Sequence, residues 1–179
     1  TSLGAFRAYE VLGESLGYTP VPLDSLSPRI VSESFCGTAY SSSGFFWITP
    51  DRIETFVPEN PELDVQRFES QVPVSGSLYF EEMLDTKDQY RFFLGGNAPR
   101  VVIRTGSKGA PSLLLIRDSY SDSLVPFLLA HFSEIHLLDL RYYRESVTEY
   151  VKENRINRVC VIYSVKDFCT DGNLALMTR

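Results

Sequence analysis

Apolar and polar positions recur along this chain with more than one period. Leu3, Phe6, Ala8, Tyr9, Leu12 and Leu16 fall near helical spacing, and Gly17 stands where a left-handed residue closes a helix. A proline-rich connector, TPVPLDSLSP, follows. From Ser32 to about Phe80 the runs shorten. SESFCGTAYSSSGFF, DRIETFVP and DVQRFES are β-like and broken by Gly, Pro and Ser, the pattern of antiparallel strands joined by hairpin loops. LYFEEMLDTKDQYRFF has the spacing of a short helix or turn.

From Arg100 onward the pattern changes again. VVIRT, SLLLIRD, IHLLDL and RVCVIYS are apolar runs of strand length, suited to burial on both faces. SDSLVPFLLAHF and RYYRESVTEYVKENR lie between the last three, and both have a helical period. Pro126 falls in the first turn of its helix, where a missing N–H is tolerated. Strand, helix, strand, helix, strand predicts a parallel sheet with right-handed crossovers. The chain has no internal repeat and no low-complexity segment.

Composition narrows the functional classes. The 179 residues suffice for one domain with a sizeable core, and a hydrophobic fraction of 44% excludes disorder over most of the length. A net charge of −6 excludes sequence-independent phosphate binding, so no nucleic-acid partner is expected. Cys36, Cys160 and Cys169 fit no metal-ligand spacing; Cys160, inside RVCVIY, reads as a small core residue. No metal and no cofactor are expected. No apolar run reaches the length of a membrane span. The opening TSLGAFRAYEVLGESLG is an amphipathic helix entered without a preceding cap or initiator methionine, which reads as the middle of a larger protein.

In an open α/β sheet, ligands bind beyond the carboxyl ends of the strands. Those ends are Arg104-Thr105, Arg117-Asp118-Ser119, Asp139-Leu140-Arg141 and Ser164-Val165-Lys166-Asp167. Ser119 directly follows its strand and precedes a helix whose free N–H groups would stabilise an oxyanion. The competing reading is that Ser119, Ser121 or Ser123 simply caps that helix. A nucleophilic serine needs a base. His131 lies twelve residues beyond Ser119, mostly along a helix, and so about 15–18 Å away. His136 begins the next strand at the same far edge. Neither is expected to reach Ser119.

KDQYRFFLGGNAPRVVI, LLLIRDSYSDSLVPFLLAHFSEIHLLDLRYY and RVCVIYSVKDF, together with GTAYSSSG, resemble the bacterial DHHW proteins. These are SGNH-hydrolase-like proteins related to the alginate O-acetyltransferase group. The resemblance implies an α/β fold: an SGNH-like (flavodoxin-like) parallel sheet flanked by helices, with an antiparallel β-rich segment in the N-terminal half. It also implies a single domain over residues 1–179, forming the C-terminal part of a larger protein, with residues 32–80 as a β-rich insertion. The family's Asp-His-His-Trp motif is absent from this sequence. In the related acetyltransferases an Asp-x-His pair N-terminal to the serine completes the triad, so the resemblance, too, leaves Ser119 without its base.

By that resemblance Ser119 is the nucleophile, and Asp118 stands where SGNH enzymes carry the Asp of Gly-Asp-Ser, with Arg117 in place of the glycine. Gly96 and Asn97 of LGGN are candidate oxyanion or substrate contacts, Asn97 equally reading as a turn residue. Arg141 either binds an anionic substrate group or braces Asp118 or Asp139, and Tyr40 lines the pocket. The resemblance thus implies a serine esterase or O-acetyltransferase fragment acting on a carbohydrate or acyl-sugar of the cell surface, inactive without its upstream Asp and His. The alternative is a non-catalytic glycan-binding or scaffolding domain. An extracellular or cell-envelope location follows, with membrane attachment only through a missing N-terminal anchor. Apolar surface left on Leu3 and Phe6 predicts some self-association.

Overall fold

Helix α1 (Ser2–Leu16) forms where the period predicted it. The Thr1 hydroxyl accepts from the Gly4 N–H to start it, and Gly17, at φ 75°, ends it. The computed structural model describes residues 1–37, 40, 43, 47–58, 60 and 62–178, with Thr178 described through its backbone alone. The chain divides into two compact units, one of Thr1–Asn60, Ser77–Gly96 and Ser123–Phe127, the other of Pro61–Gly76, Asn97–Asp122 and Leu128–Arg179.

In the first unit α1 lies on a two-stranded antiparallel pair, β1 (Arg29–Phe35) and β2 (Asp51–Thr55). The Ser2 hydroxyl donates to the Glu54 carbonyl, and Phe6 and Tyr9 pack on Phe127 with ring centroids 5.5 Å away in each case. Leu3 is exposed as expected, but Phe6 is fully buried, because this aromatic cluster closes over it. The ambiguous LYFEEMLDTKDQYRFF run forms two short 3-10 turns, Glu81–Asp85 and Gln89–Phe92.

The second unit is built on six strands: β3 (Asp64–Phe68), β4 (Val74–Ser75), β5 (Arg100–Arg104), β6 (Ser112–Arg117), β7 (Glu134–Leu138) and β8 (Arg158–Ile162). Their spatial order is β4-β3-β5-β7-β6-β8. β6 pairs in parallel with both β7 and β8, while β5 is antiparallel to β7 and to β3. Every residue of β6 is buried, as its unbroken apolar run requires. Leu114, Ile116 and Leu138 pack on Val147 and Tyr150 of helix α3 (Val147–Glu153). β8 is an edge strand with Val159 and Val161 exposed.

Three expectations need correction. Because β5 runs against β7, Arg104 and Thr105 lie at the opposite edge from Ser119. Arg104 pairs there with Asp64 at 2.8 Å and Glu134 at 2.9 Å, and the Thr105 hydroxyl donates to the Phe132 carbonyl. SDSLVPFLLAHF does not form one helix. A 3-10 turn (Ser119–Ser121) is followed by helix α2 (Val125–Leu128), a single turn. Leu124, Val125, Phe127, Leu128 and Leu129 are all buried, so the spacing there reports burial on all sides rather than an amphipathic helix. Likewise RYYRESVTEYVKENR is helical only from Val147, Ser146 being its cap. Past β8 the sequence reading stopped at a strand end, whereas the structure continues into helix α4 (Val165–Thr170) and a 3-10 segment (Gly172–Thr178).

Candidate functional site

The order β7-β6-β8 determines where a ligand would lie. From β6 the chain moves to one side to form β7, then crosses over β6 to form β8 on the other side. Connections that leave adjacent strands in opposite directions open a crevice at their carboxyl ends. That rule sets the switch point between β6 and β8, and Asp118-Ser119 after β6, Asp139-Leu140-Arg141 after β7 and Ser164 after β8 share the same carboxyl edge.

Ser119 is half-buried and Asp118 is buried. Asp118, not Ser119, caps the turn. Its Oδ1 accepts from the Tyr120 N–H at 3.0 Å and its Oδ2 from the Ser164 N–H at 2.9 Å. One carboxylate therefore holds the turn carrying Ser119 and the loop after β8. Ser121 donates its hydroxyl to the Asp118 carbonyl, and the Ser123 backbone N–H donates to the Tyr90 hydroxyl. Because α2 is a single turn, no long helix aims its dipole at Ser119.

Arg117, standing where related motifs have glycine, is wholly buried. Its Nη1 lies 2.8 Å from Oδ1 of Asp122, itself buried. Neither side chain has a hydrogen-bonded partner among the described residues, so the contact is one of charge against charge. Burial pushes the Asp122 carboxyl up to about 7; Arg117 opposes that rise, and the charges of Asp139 and Asp118 add to it. Arg67, also buried, lies near enough to sense both charges, and burial lowers its own pKa.

Arg141 braces Asp139. Its Nε and Nη2 donate to the two carboxylate oxygens at 2.9 and 2.7 Å, and its backbone N–H adds a third bond at 3.1 Å. Nη1 reaches Asp167 of α4 at 3.5 Å. The hydrogen bond to Asp139 holds this guanidinium firmly in its charged form, against partial burial. Asn97 is exposed, and its carbonyl accepts from Arg67 at 3.5 Å. Gly96 and Tyr40 belong to the first unit. Gly96 is buried at φ 92°, where a Cβ would come 2.8 Å from Arg91 Nε. Tyr40 lines a small pocket of about 100 Å³ with Cys36, Lys87 and Asp88. The rest of GTAYSSSG, apart from Gly37 and Ser43, lies outside the described residues.

Both imidazoles are accounted for. His136 sits in mid-β7 opposite Leu114 of β6; the strand from there to Arg117 alone covers about 10 Å. Its Nδ1 meets the Tyr150 hydroxyl at 2.7 Å and its Nε2 the Glu134 carboxylate at 3.3 Å. His131 precedes β7, next to the Phe132 carbonyl that Thr105 binds at the far edge. Burial lowers the pKa of each.

Sequence reasoning placed Ser164 to Asp167 at the site edge but missed the Arg117–Asp122 pair, the clamp from Asp118 to Ser164, and the contact of Asp167 with Arg141. For the last two a signal existed. Ser164-Val165-Lys166-Asp167 has the spacing of a helix-capping box, and Ser164 does accept from the Asp167 N–H at 3.2 Å. Among the described residues no cluster of His, Cys, Asp or Glu could hold a metal ion, and no helix is long and apolar enough to cross a membrane. The three cysteines are free thiols.

This α/β architecture, a mixed sheet flanked by helices with a separate antiparallel pair, is the SGNH-like one. It matches the crystal structure of a DHHW family protein from Eubacterium siraeum at a TM-score of 0.80 and 22% identity, over 99% of this chain and 60% of that one. Bacillus cereus PatB1 has the same fold, at a TM-score of 0.74 and 20% identity over 93% of this chain and 60% of its own. PatB1 with a sulfonyl adduct gives the same TM-score at 18% identity, over 93% and 58%. The chain thus spans about three-fifths of the length of the structures it matches. No family model and no curated protein matches the sequence.

Proposed function

We propose that this chain carries the nucleophile of an SGNH-type acyl-transfer enzyme, an esterase or O-acetyltransferase acting on glycan at the cell envelope. The observation that carries the reading is the position of Ser119: half-buried at the carboxyl edge of β6, on a turn whose capping is done by its neighbour Asp118. In the proposed reaction the Ser119 Oγ attacks the acyl carbonyl and gives its proton to an imidazole. The tetrahedral adduct collapses, the acyl C–O bond breaks, and the imidazolium protonates the departing alkoxide. A second hydroxyl, from water or an acceptor sugar, then takes the acyl group by the same steps in reverse. The Ser119 backbone N–H is the proposed oxyanion donor, with Asn97 as a further contact and Arg141 as the brace of Asp139. Since His131 and His136 are held elsewhere, the base is expected from outside these 179 residues. The sulfonyl adduct in PatB1 supports the reading, because sulfonyl electrophiles react with nucleophilic side chains.

The test supplies the base externally. The protein is incubated with methanesulfonyl fluoride with and without free imidazole, and the adduct is located by peptide mass spectrometry. The expected result is an imidazole-dependent adduct on Ser119, and none there in Ser119→Ala. Modification confined to exposed Tyr120, or equal labelling of both proteins, overturns the assignment. The second reading, a glycan-binding domain without chemistry, is favoured by the single-turn α2, which offers little dipole to an oxyanion. It requires glycan binding unchanged by Ser119→Ala together with no adduct at that serine.

A further inference from the structure

The edge that carries Ser119 continues into a second feature. Ile116 of β6 lies opposite Leu138 of β7, Leu138 opposite Arg100 of β5, and Arg100 opposite Phe68 of β3. These four positions form a row across the sheet, just inside the edge at which β6 ends. Beyond Phe68 and Arg100 a groove of about 360 Å³ opens between the residues after β3 and the turn after β7, Tyr142–Glu145. That volume suits a small-molecule site. The groove starts about two strand spacings from β6, roughly 10 Å along the edge.

Its lining specifies a chemistry. Tyr142 in the lining is half exposed, with the Arg141 guanidinium 5.7 Å from its ring centroid, and its exposed ring surface is apolar. The Arg100 guanidinium stacks 3.7 Å over the Phe68 ring, which fixes the floor. Glu145 is held in place by Gln71, at 3.1 Å to one oxygen, and by the Tyr143 hydroxyl, at 3.3 Å to the other. A carboxylate has about four lone-pair sites, so both oxygens can still accept. Two arginines, Arg100 and Arg144, face two carboxylates, Glu69 and Glu145, so the lining is neutral in sum. A phosphate or uronate would meet as much negative as positive charge. A ring with an apolar face and several hydroxyls, each able to donate to a carboxylate, matches all of it.

We infer that this groove binds a neutral saccharide and holds one end of an oligosaccharide whose other end reaches Ser119. The inference deepens the acyl-transfer reading and rests on it only for the partnership with that serine. Binding of N-acetylglucosamine tetramer and cellotetraose to the 179-residue chain, with tetragalacturonate as the anionic control, is measured by calorimetry. The expected result is binding of at least one neutral tetramer in preference to the anionic one. Tyr142→Ala should weaken it about tenfold or more, and Tyr142→Phe should keep it within about threefold of wild type. Tyr142 is exposed enough for both variants to fold, which circular dichroism verifies. No binding of either neutral tetramer, a preference for the anionic one, or equal affinity in Tyr142→Ala overturns the inference. An adduct on Ser119 without saccharide binding sinks the groove alone. Binding without an adduct sinks the acyl-transfer reading alone.

Discussion

Replacing Arg117 by Met removes the cation nearest to a carboxylate that is completely buried. Arg117 and Asp122 meet at 2.8 Å with essentially no exposure of either side chain. Breaking one half of such a pair costs about 3–5 kcal/mol, because the remaining charge has lost its counter-ion and cannot regain water. The cost must depend on pH. With Arg117 present the Asp122 carboxyl titrates near 7, far above its value of 3.8 in an unfolded chain. Between those two values the folded protein binds a proton that the unfolded chain does not, so this group lowers stability as pH rises from about 4 through 7. Arg117 opposes the upward shift, and its removal raises the Asp122 value further. At pH 8 the variant must therefore bear an unpaired carboxylate or take up a proton, whereas at pH 5 the carboxyl is neutral with or without Arg117. Urea unfolding of wild type, Arg117→Met, Asp122→Asn and the double variant at pH 5 and pH 8 tests this. The expected loss for Arg117→Met is about 3–5 kcal/mol at pH 8, and it should be smaller at pH 5 by about 1 kcal/mol and at most about 1.4 kcal/mol, because pH 8 lies about one unit above the wild-type Asp122 value. In the Asp122→Asn background that pH dependence disappears. Equal losses at the two pH values, or an unchanged pH dependence with Asn at 122, would refute the reasoning. His136 works in the opposite sense: burial lowers its folded value, so its contribution is lost as pH falls through 6.5, and it cancels in the comparison.

Two further predictions use the same measurement. Ser119→Ala should change stability by no more than about 0.5 kcal/mol, since the capping is done by Asp118. Asp118→Ala, which deprives the part-buried Tyr120 and Ser164 N–H groups of their acceptor, should cost about 1–3 kcal/mol in all. Gly95 stands at φ 74° with the position of a Cβ only 2.9 Å from the Phe80 ring. Gly95→Ala should therefore destabilise the first unit by more than the 1–2 kcal/mol of the left-handed conformation alone; a neutral result would mean that Phe80 can move aside at no cost.

The parallel core was legible because period and burial coincide there. LLLI and IHLL read as strands buried on both faces, and they are β6 and β7; RVCVI is the strand β8, but at the sheet edge, where Val159 and Val161 are exposed and Cys160 is only partly buried. The direction of β5 was not legible, since an apolar run says nothing about which neighbour it pairs with; the loop from Thr105 to Ala110 leaves it antiparallel to β7. The helix expected after Ser119 failed for a related reason. Spacing of three and four in LVPFLL also arises in a segment buried all round, and Pro126 removes a backbone donor. The place of Ser119 at a carboxyl edge and the failure of both histidines to approach it followed from chain geometry alone. Arg117 could not be foreseen as an interior cation, because a charged residue at a strand end ordinarily meets solvent, and its partner five residues on is brought back only by the 3-10 turn.

The connections that follow β6, β7 and β8 are not independent loops. Asp118 fastens the first to the third through Ser164, and Arg141 fastens the second to the third through Asp139 and Asp167. Helix α4 is thus the common anchor of two acidic rivets, and the rim behaves as one mechanical piece. A guest that drew Arg141 away from Asp167 would free α4 on one side while Asp118 still gripped it on the other, so the segment would pivot about Ser164. Small displacements on the β7 side of the crevice would in this way be felt at the turn that bears Ser119.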